Sequence, residues 1–125
     1  MCGILAAVKP RYNRTQLNKM LLIMKHRGPD FQGDLLLNGQ IYLGHNRLSI
    51  LDLNPRSNQP FSSNNYHMIY NGEIYNYKEL VVEHGLQVKP TSDTEVVLKM
   101  YQQYGIDCLN YSLINSIFIQ RNSVN

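Results

Sequence analysis

Met1-Cys2-Gly3-Ile4-Leu5-Ala6-Ala7-Val8 opens the chain, and this apolar run predicts a short buried strand with a cysteine at its head. If Met1 is removed, as a small second residue favours, Cys2 carries both a thiol and a free α-amine. The reference pKa of such an amine is about 7.7–8.0, so at neutral pH part of it is unprotonated and able to activate the thiol. The stretch therefore indicates a candidate nucleophile on a rigid element. The alternative, an incidental cysteine beside the start of the chain, stays open at this point.

Two helices are predicted from apolar residues that recur at i, i+3, i+4 and i+7. The first begins at Asn13 or Thr15, and the second begins at Ser92, where Glu95 completes a capping-box pattern. Asn76 to His84 predicts a third, shorter helix. The two apolar stripes are Leu17, Met20, Leu21 and Met24 in the first helix, and Val97, Met100, Tyr101 and Tyr104 in the second.

Hairpin signals lie between these helices. Asn38-Gly39 separates two apolar runs and predicts a two-residue turn. Residues 67–70 predict a strand that runs into Asn71-Gly72, a second turn signal, whereas residues 57–65 have the polar composition of a loop. Strands and helices thus come in mixed order with hairpins, which predicts an α+β fold with a largely antiparallel sheet.

Composition excludes several classes of function. The 125 residues leave room for one domain, and the net charge of +3 is spread along the chain without the basic clusters of a nucleic-acid surface. Cys2 and Cys108 match no metal-ligand spacing and favour a reducing cytoplasm over a disulfide framework. No segment approaches the roughly 20 apolar residues that span a bilayer. We therefore expect no metal, no nucleic-acid partner and no membrane.

Three further segments carry candidate binding groups. Arg47 follows a predicted strand and presents a planar fork suited to a carboxylate, although a surface cation is the blander interpretation. The Asn71 amide beside the Gly72 N–H is the kind of donor pair that holds an oxyanion, although a plain turn would use the same residues. Asp93 lies where a helix N-terminus stabilises a carboxylate, and it could serve the helix alone.

Taken in order, five segments resemble the class II glutamine amidotransferase domain, and more narrowly the N-terminal glutaminase half of glutamine-hydrolysing asparagine synthetases. The resemblance covers Met1 to Asn110. The segments are Met1-Cys2-Gly3-Ile4, His26-Arg27-Gly28-Pro29-Asp30, Asn46-Arg47-Leu48-Ser49-Ile50, Asn71-Gly72-Glu73-Ile74-Tyr75-Asn76 and Ser92-Asp93-Thr94-Glu95.

The resemblance implies a four-layer α-β-β-α sandwich of the N-terminal-nucleophile hydrolase kind. It also implies that L-glutamine is hydrolysed to glutamate and ammonia, with Cys2 as the nucleophile and its own α-amine as the base. Asn71 and Gly72 would form the oxyanion hole. Further substrate-binding positions are Arg47 for the α-carboxylate, Glu73 and Asp93 for the ammonium, and Leu48, Ser49, Ile50 and Leu51 along the pocket.

The resemblance also sets the expected partners. The family's full enzyme makes asparagine with a second, ATP-dependent synthetase domain, so we expect ATP and Mg only there, no cofactor in this chain, and a separate synthetase chain as partner. Residues 111–125 depart from the family pattern, which predicts a partial domain over 1–110, a divergent tail and an incomplete sandwich. Two alternatives stay open. One is a truncated, inactive remnant or interaction module; the other is a glutaminase serving a sugar phosphate or phosphoribosyl acceptor.

Overall fold

The computed structural model describes residues 1–50, 53–88, 92–111 and 114–122. Within them, the strands and α-helices follow one another in mixed order. They are β1 (Gly3–Val8), α1 (Arg14–Ile23), β2 (Phe31–Leu37), β3 (Ile41–Arg47), β4 (Phe61–Ser63), β5 (Tyr66–Gly72), α2 (Tyr77–Glu83), α3 (Asp93–Tyr104) and β6 (Ile114–Arg121). Short 3-10 turns lie at Lys25–Arg27, Pro55–Ser57 and Gly105–Tyr111. The predicted α+β class is confirmed, and both sheets are antiparallel.

The first sheet has the strand order β1-β3-β2, with β3 in the centre. Its hairpin turns at Asn38-Gly39, where both residues have positive φ and the Gln40 N–H donates to the Leu37 carbonyl. This is the geometry that an Asn-Gly turn favours, because both central residues tolerate positive φ. The register sets Gly3 opposite Asn46 and Phe31 opposite Arg47, so the β1 N-terminus meets the end of β3.

Helix α1 packs on β3. Asn13 begins the helix with a reciprocal capping box to Gln16, and Leu17 and Leu21 are fully buried. Asn46 Nδ2 donates a 2.7 Å hydrogen bond to the Leu21 carbonyl. Because successive strand residues face opposite sides, Asn46 faces α1, whereas His45 and Arg47 face away from it. That alternation leaves the second side of the sheet for the candidate site.

The second sheet has the order β4-β5-β6 and carries α3. Strand β5 contacts β1 and β3, so the two sheets meet at this strand. The hydrophobic core on the α3 side is a cluster of buried residues: Met68, Tyr70, Ile74, Leu80, Leu86, Val96, Val97, Leu98, Met100 and Cys108. None of the helices in the described residues combines the length and apolar character needed to cross a membrane.

Two local predictions are wrong. Asn71-Gly72 is not a turn, because β5 continues through both residues and pairs with β6, where the register shifts between them. Residues 57–65 are not all loop, because β4 forms at Phe61–Ser63 and pairs with β5 around Asn64-Asn65. In both cases the pairing partner supplies what the local composition does not indicate.

Candidate active site

A cavity of about 420 Å³ lies where the ends of β1, β3 and β5 meet the start of α3. This volume is within the range of about 300–1,000 Å³ that is usual for small-molecule sites. Its lining includes most of the sequence-predicted positions: Cys2, Arg47, Leu48, Ile50, Asn71, Gly72, Glu73 and Asp93. Leu51 lies outside the described residues, and Ser49 does not line the cavity.

Cys2 is held at the cavity by main-chain contacts. The Leu48 N–H donates a hydrogen bond to Cys2 Sγ at 3.3 Å, and Arg27 Nε donates to the Cys2 carbonyl at 3.3 Å. The Cys2 thiol is half-buried, and Cys2 and Cys108 do not form a disulfide. Met1 is exposed and lines the same cavity. Loss of Met1 would therefore both open the cavity and expose the Cys2 α-amine beside the thiol.

The His26–Asp30 segment, interpreted from sequence as a helix stop or a family motif, supports the neighbouring strand end. A Cβ atom at Gly28 would overlap the Asn46 carbonyl oxygen, so the two backbones touch where only glycine fits. The Asp30 N–H donates to the Arg47 carbonyl at 3.1 Å, and Asp30 Oδ2 accepts from the Ser49 N–H at 2.7 Å. Ser49 thus lies behind the pocket rather than in it.

Arg47 is buried and oriented by the loop that follows β3. Its Nη1 donates to Asn58 Oδ1 at 2.8 Å and to the Asn54 carbonyl at 3.2 Å. These two bonds fix the plane of the guanidinium, and a planar guanidinium is a group suited to a carboxylate.

Asp93 is the buried acid of the cavity, at the first residue of α3. Burial raises the pKa of its carboxyl group, whereas hydrogen bonds from the Tyr70 hydroxyl and the Ile74 N–H oppose that rise. Glu73, which lines the same cavity, raises the Asp93 pKa further through its negative charge. Among the described residues, two acidic side chains and one guanidinium therefore line the cavity, a charge pattern that matches a zwitterionic ligand.

Sequence reasoning missed several lining residues: His45, Ser57, Gln59, Tyr70 and Thr94. His45 was detectable, because it stands two residues before Arg47 and so shares its face of β3. The others come from the β3–β4 connection and the β5–α3 region, which only the tertiary fold brings together. Within the described residues, no group of three His, Cys, Asp or Glu side chains could hold a metal ion.

The chain is similar to known proteins over most of its length. Residues 1–119 match a family model described as a glutamine amidotransferase domain. A Methanocaldococcus jannaschii protein whose name is that of an asparagine synthetase (glutamine-hydrolysing) is 38% identical over 87% of this chain and 25% of its own length. Asparagine synthetase B of Escherichia coli is 35% identical over 88% of this chain and 21% of its own. Amidase chyE of Penicillium rubens is 38% identical over 85% of this chain and 16% of its own length. The chain thus spans a quarter or less of the length of these relatives.

Proposed function

Because the chain belongs to the glutamine amidotransferase domain family, we propose that it hydrolyses the side-chain amide of L-glutamine to L-glutamate and ammonia. The observation that carries the proposal is the cavity itself. Cys2 lies in it with the Asn71–Gly72 donor pair, one guanidinium and two carboxylates, which are the groups needed to hold an amino acid and attack its side chain.

Binding uses charge at both ends of the substrate. Arg47 receives the α-carboxylate, and Glu73 and Asp93 receive the α-ammonium, while Leu48 and Ile50 lie along the pocket. Ser49 contributes through its N–H contact with Asp30, which fixes the loop. Fixing the amide carbon against the thiol in this way can supply roughly 7–11 kcal/mol of barrier reduction.

The chemistry then proceeds in two stages. The α-amine of Cys2 takes the thiol proton, and Sγ attacks the amide carbon, placing negative charge on the amide oxygen. The Asn71 side-chain amide and the Gly72 N–H donate to that oxygen. Return of the proton from the α-ammonium to the amide nitrogen releases ammonia and leaves a thioester. Water then attacks the thioester, releasing L-glutamate and restoring the thiol.

The scaffold that we propose is the four-layer α-β-β-α sandwich of N-terminal-nucleophile hydrolases. Its support is the packing of α1 on β3, the contact of β5 with β1 and β3, and the position of α3 on the second sheet. Strand β6 pairs with β5 from Tyr66 to Gly72, so residues beyond 110 still build sheet. Our division into a domain at 1–110 and a divergent tail at 111–125 remains a proposal about motif content.

The ammonia acceptor lies outside this cavity. We propose asparagine synthesis by an ATP- and Mg-dependent synthetase domain or partner chain, in the cytoplasm, because several relatives carry the asparagine synthetase name. A different acceptor is the second candidate, since other relatives of similar identity are named amidases. Neither alternative changes the chemistry proposed for Cys2.

Ammonia and glutamate released from L-glutamine by the purified chain test the proposal. Intact mass and N-terminal sequencing first establish that Met1 is absent. Cys2→Ala is expected to abolish release, whereas Cys108→Ala, which removes a buried thiol outside the cavity, is expected to retain it. A variant with one extra residue left ahead of Cys2 is expected to lose activity. Release that persists in Cys2→Ala would refute the mechanism, and an inactive wild-type chain would favour the remnant hypothesis.

A further inference from the structure

The second sheet is incomplete beside Tyr70, directly ahead of the Asn71–Gly72 donor pair. Strand β4 pairs with β5 from Ser63 opposite Tyr66 to Phe61 opposite Met68 and then ends. The next residue back, Pro60, already lies outside β4. Continuing the same register would set Gln59 opposite Tyr70. The N–H and carbonyl of Tyr70 on that side therefore have no strand partner, because β4 ends at Phe61.

Two buried side chains take the place of that missing strand. Gln59 Oε1 accepts a 2.7 Å hydrogen bond from the Tyr70 N–H, and His45 Nε2 lies 3.3 Å from the Tyr70 carbonyl oxygen. Because a carbonyl oxygen only accepts, the ring must carry its proton on Nε2 to form this bond. Burial lowers the pKa of His45 to about 4, and the nearby Arg47 charge acts in the same direction, so the ring is neutral at pH 7. Its Nδ1 has no hydrogen-bond partner among the described residues.

The position of this contact matters because the β5–β6 ladder is irregular just beyond it. Asn71 pairs with Ser116 but Gly72 pairs with Ile114, so the register shifts between the two proposed oxyanion donors. A bulge of this kind re-aims the side chains and N–H groups around it and leaves local pairing weaker. All three residues of the contact are buried, so the two hydrogen bonds operate away from competing water.

We propose that His45 and Gln59 form a clamp on the Tyr70 main chain and act as positioning residues for the oxyanion hole. By holding the N–H and the carbonyl of Tyr70, the clamp fixes the backbone that enters the bulge and so aims the Asn71 amide and the Gly72 N–H at one point. His45 belongs to the first sheet, whose strand β1 begins directly after Cys2. The clamp therefore also sets the distance between the Cys2 thiol and the donors at Asn71 and Gly72. The inference rests on the proposed glutaminase function.

Kinetics on single variants distinguish positioning from general support of the fold. Gln59→Leu and His45→Leu are each expected to lower kcat for L-glutamine by about tenfold to a hundredfold, the loss that a displacement of about 1 Å produces. KM and the inhibition constant of L-glutamate are expected to change less than about twofold, because neither depends on the transition-state oxyanion. Alkylation of Cys2 by iodoacetamide, which develops no oxyanion, is expected to keep its rate.

Matched variants complete the test. His45→Gln keeps an N–H donor near the Nε2 position and is expected to recover most of kcat. His84→Phe changes another partly buried histidine, one that contacts Tyr104 rather than the cavity, and is expected to behave as wild type. Unchanged kcat in Gln59→Leu and His45→Leu would overturn the clamp. So would a parallel loss of alkylation rate and glutamate binding, which would indicate collapse of the site.

A wild-type chain that releases no ammonia would refute the proposed function without deciding the clamp, and spectroscopy then decides it. Nitrogen-15 NMR of the ring is expected to show His45 protonated on Nε2 at pH 7. Hydrogen exchange at the Tyr70 amide is expected to be slow in wild type and at least tenfold faster in Gln59→Leu. Protonation on Nδ1 alone, or an exchange rate indifferent to Gln59, would overturn the clamp.

Discussion

Arg47 Nη1 donates a 2.8 Å hydrogen bond to Asn58 Oδ1, which joins the end of β3 to the loop that leads into β4. This bond orients the guanidinium proposed to receive the substrate carboxylate. It involves a charged donor in a largely buried place, where such bonds contribute about 1.5–3 kcal/mol. The orientation of the Arg47 guanidinium therefore depends on the loop that holds Asn58 as well as on β3.

Asn58→Ala is accordingly expected to raise KM for L-glutamine by roughly tenfold while changing kcat little, because the loss falls on ground-state binding. Steady-state kinetics on the purified variant measure this. Asn110→Ala, at an exposed position of the last 3-10 turn, is the control and should match wild type. A fall in kcat at constant KM in Asn58→Ala would contradict the assignment of Arg47 to the carboxylate.

Gly28 is expected to be intolerant of any side chain. A Cβ atom there would overlap the Asn46 carbonyl, and the nearest atoms are all backbone of β3, which cannot move aside as a flexible side chain could. Gly28→Ala should lower the free energy of unfolding by about 3 kcal/mol, the upper range for overpacking. It should also reduce glutamine hydrolysis, because the added methyl group would press on the Arg47 backbone, to which the Asp30 N–H donates a hydrogen bond. Urea denaturation measures the change.

Gly39→Ala provides the comparison, since a Cβ at Gly39 meets nothing within 4 Å and only the positive φ of 66° is strained. Its expected cost is about 1 kcal/mol, with activity retained. Equal stability losses in the two variants would show that the Gly28 contact is not tight.

The parts of the fold that sequence predicted well are those fixed by local chemistry. Asn13 begins α1, Ser92 begins α3, and Asn38-Gly39 turns the first hairpin, since each signal acts within a few residues. One detail differs, because the Ser92 hydroxyl accepts a hydrogen bond from the Thr94 N–H, one residue earlier than a capping box predicts. The same hydroxyl also accepts a hydrogen bond from the Ser57 hydroxyl. A tertiary contact has adjusted a local motif.

The parts that sequence predicted poorly depend on distant partners. Asn71-Gly72 carries a strong turn signal, yet β6, more than 40 residues later, pairs with it and keeps it extended. The clamp residues Gln59 and His45 gave no motif of their own, because their significance arises only where β4 stops beside β5. The catalytic roles of Cys2 and Asn71 and the ammonium-binding role of Asp93 rest on side-chain chemistry together with the resemblance, and they remain predictions.

The stability of the protein is expected to depend on pH through His45. Burial lowers the pKa of His45 from its ordinary value of 6.5 to about 4 in the folded chain, and the positive charge of Arg47 acts in the same direction. Between pH 4 and 6.5 the folded state thus binds fewer protons at His45 than the unfolded state does. The contribution of His45 to the free energy of unfolding is therefore fully present above about pH 6.5 and is lost as the pH falls to about 4. The fall from this residue amounts to roughly 3 kcal/mol.

Urea denaturation of wild type and His45→Gln across pH 4–8 isolates that contribution. His67 shifts in the same direction and Asp93 in the opposite one, so only the difference between the two proteins is diagnostic. The difference in unfolding free energy is expected to change steadily between pH 6.5 and 4 and to be flat above 7. A difference independent of pH would mean that the ring accepts a proton in the folded state.

Glutamine binding is expected to weaken in acid because Asp93 must be ionised to receive the substrate ammonium, which itself keeps its proton throughout that range. Burial raises the Asp93 pKa, and the facing Glu73 adds to the rise, so KM should increase as pH falls through a value above the ordinary range of an aspartate. Asp93→Asn should raise KM by about tenfold to a hundredfold at neutral pH and abolish the acid dependence.

Tyr70→Phe provides the sharper measurement. It removes the hydroxyl whose hydrogen bond lowers the Asp93 pKa but leaves the Tyr70 main chain in place. The midpoint of the acid rise in KM should therefore move to higher pH, while kcat at neutral pH stays within about twofold of wild type. Plots of KM against pH for the two proteins give both midpoints. A midpoint that stays fixed or moves to lower pH would assign the acid limb to a group other than Asp93, with Glu73 the next to test.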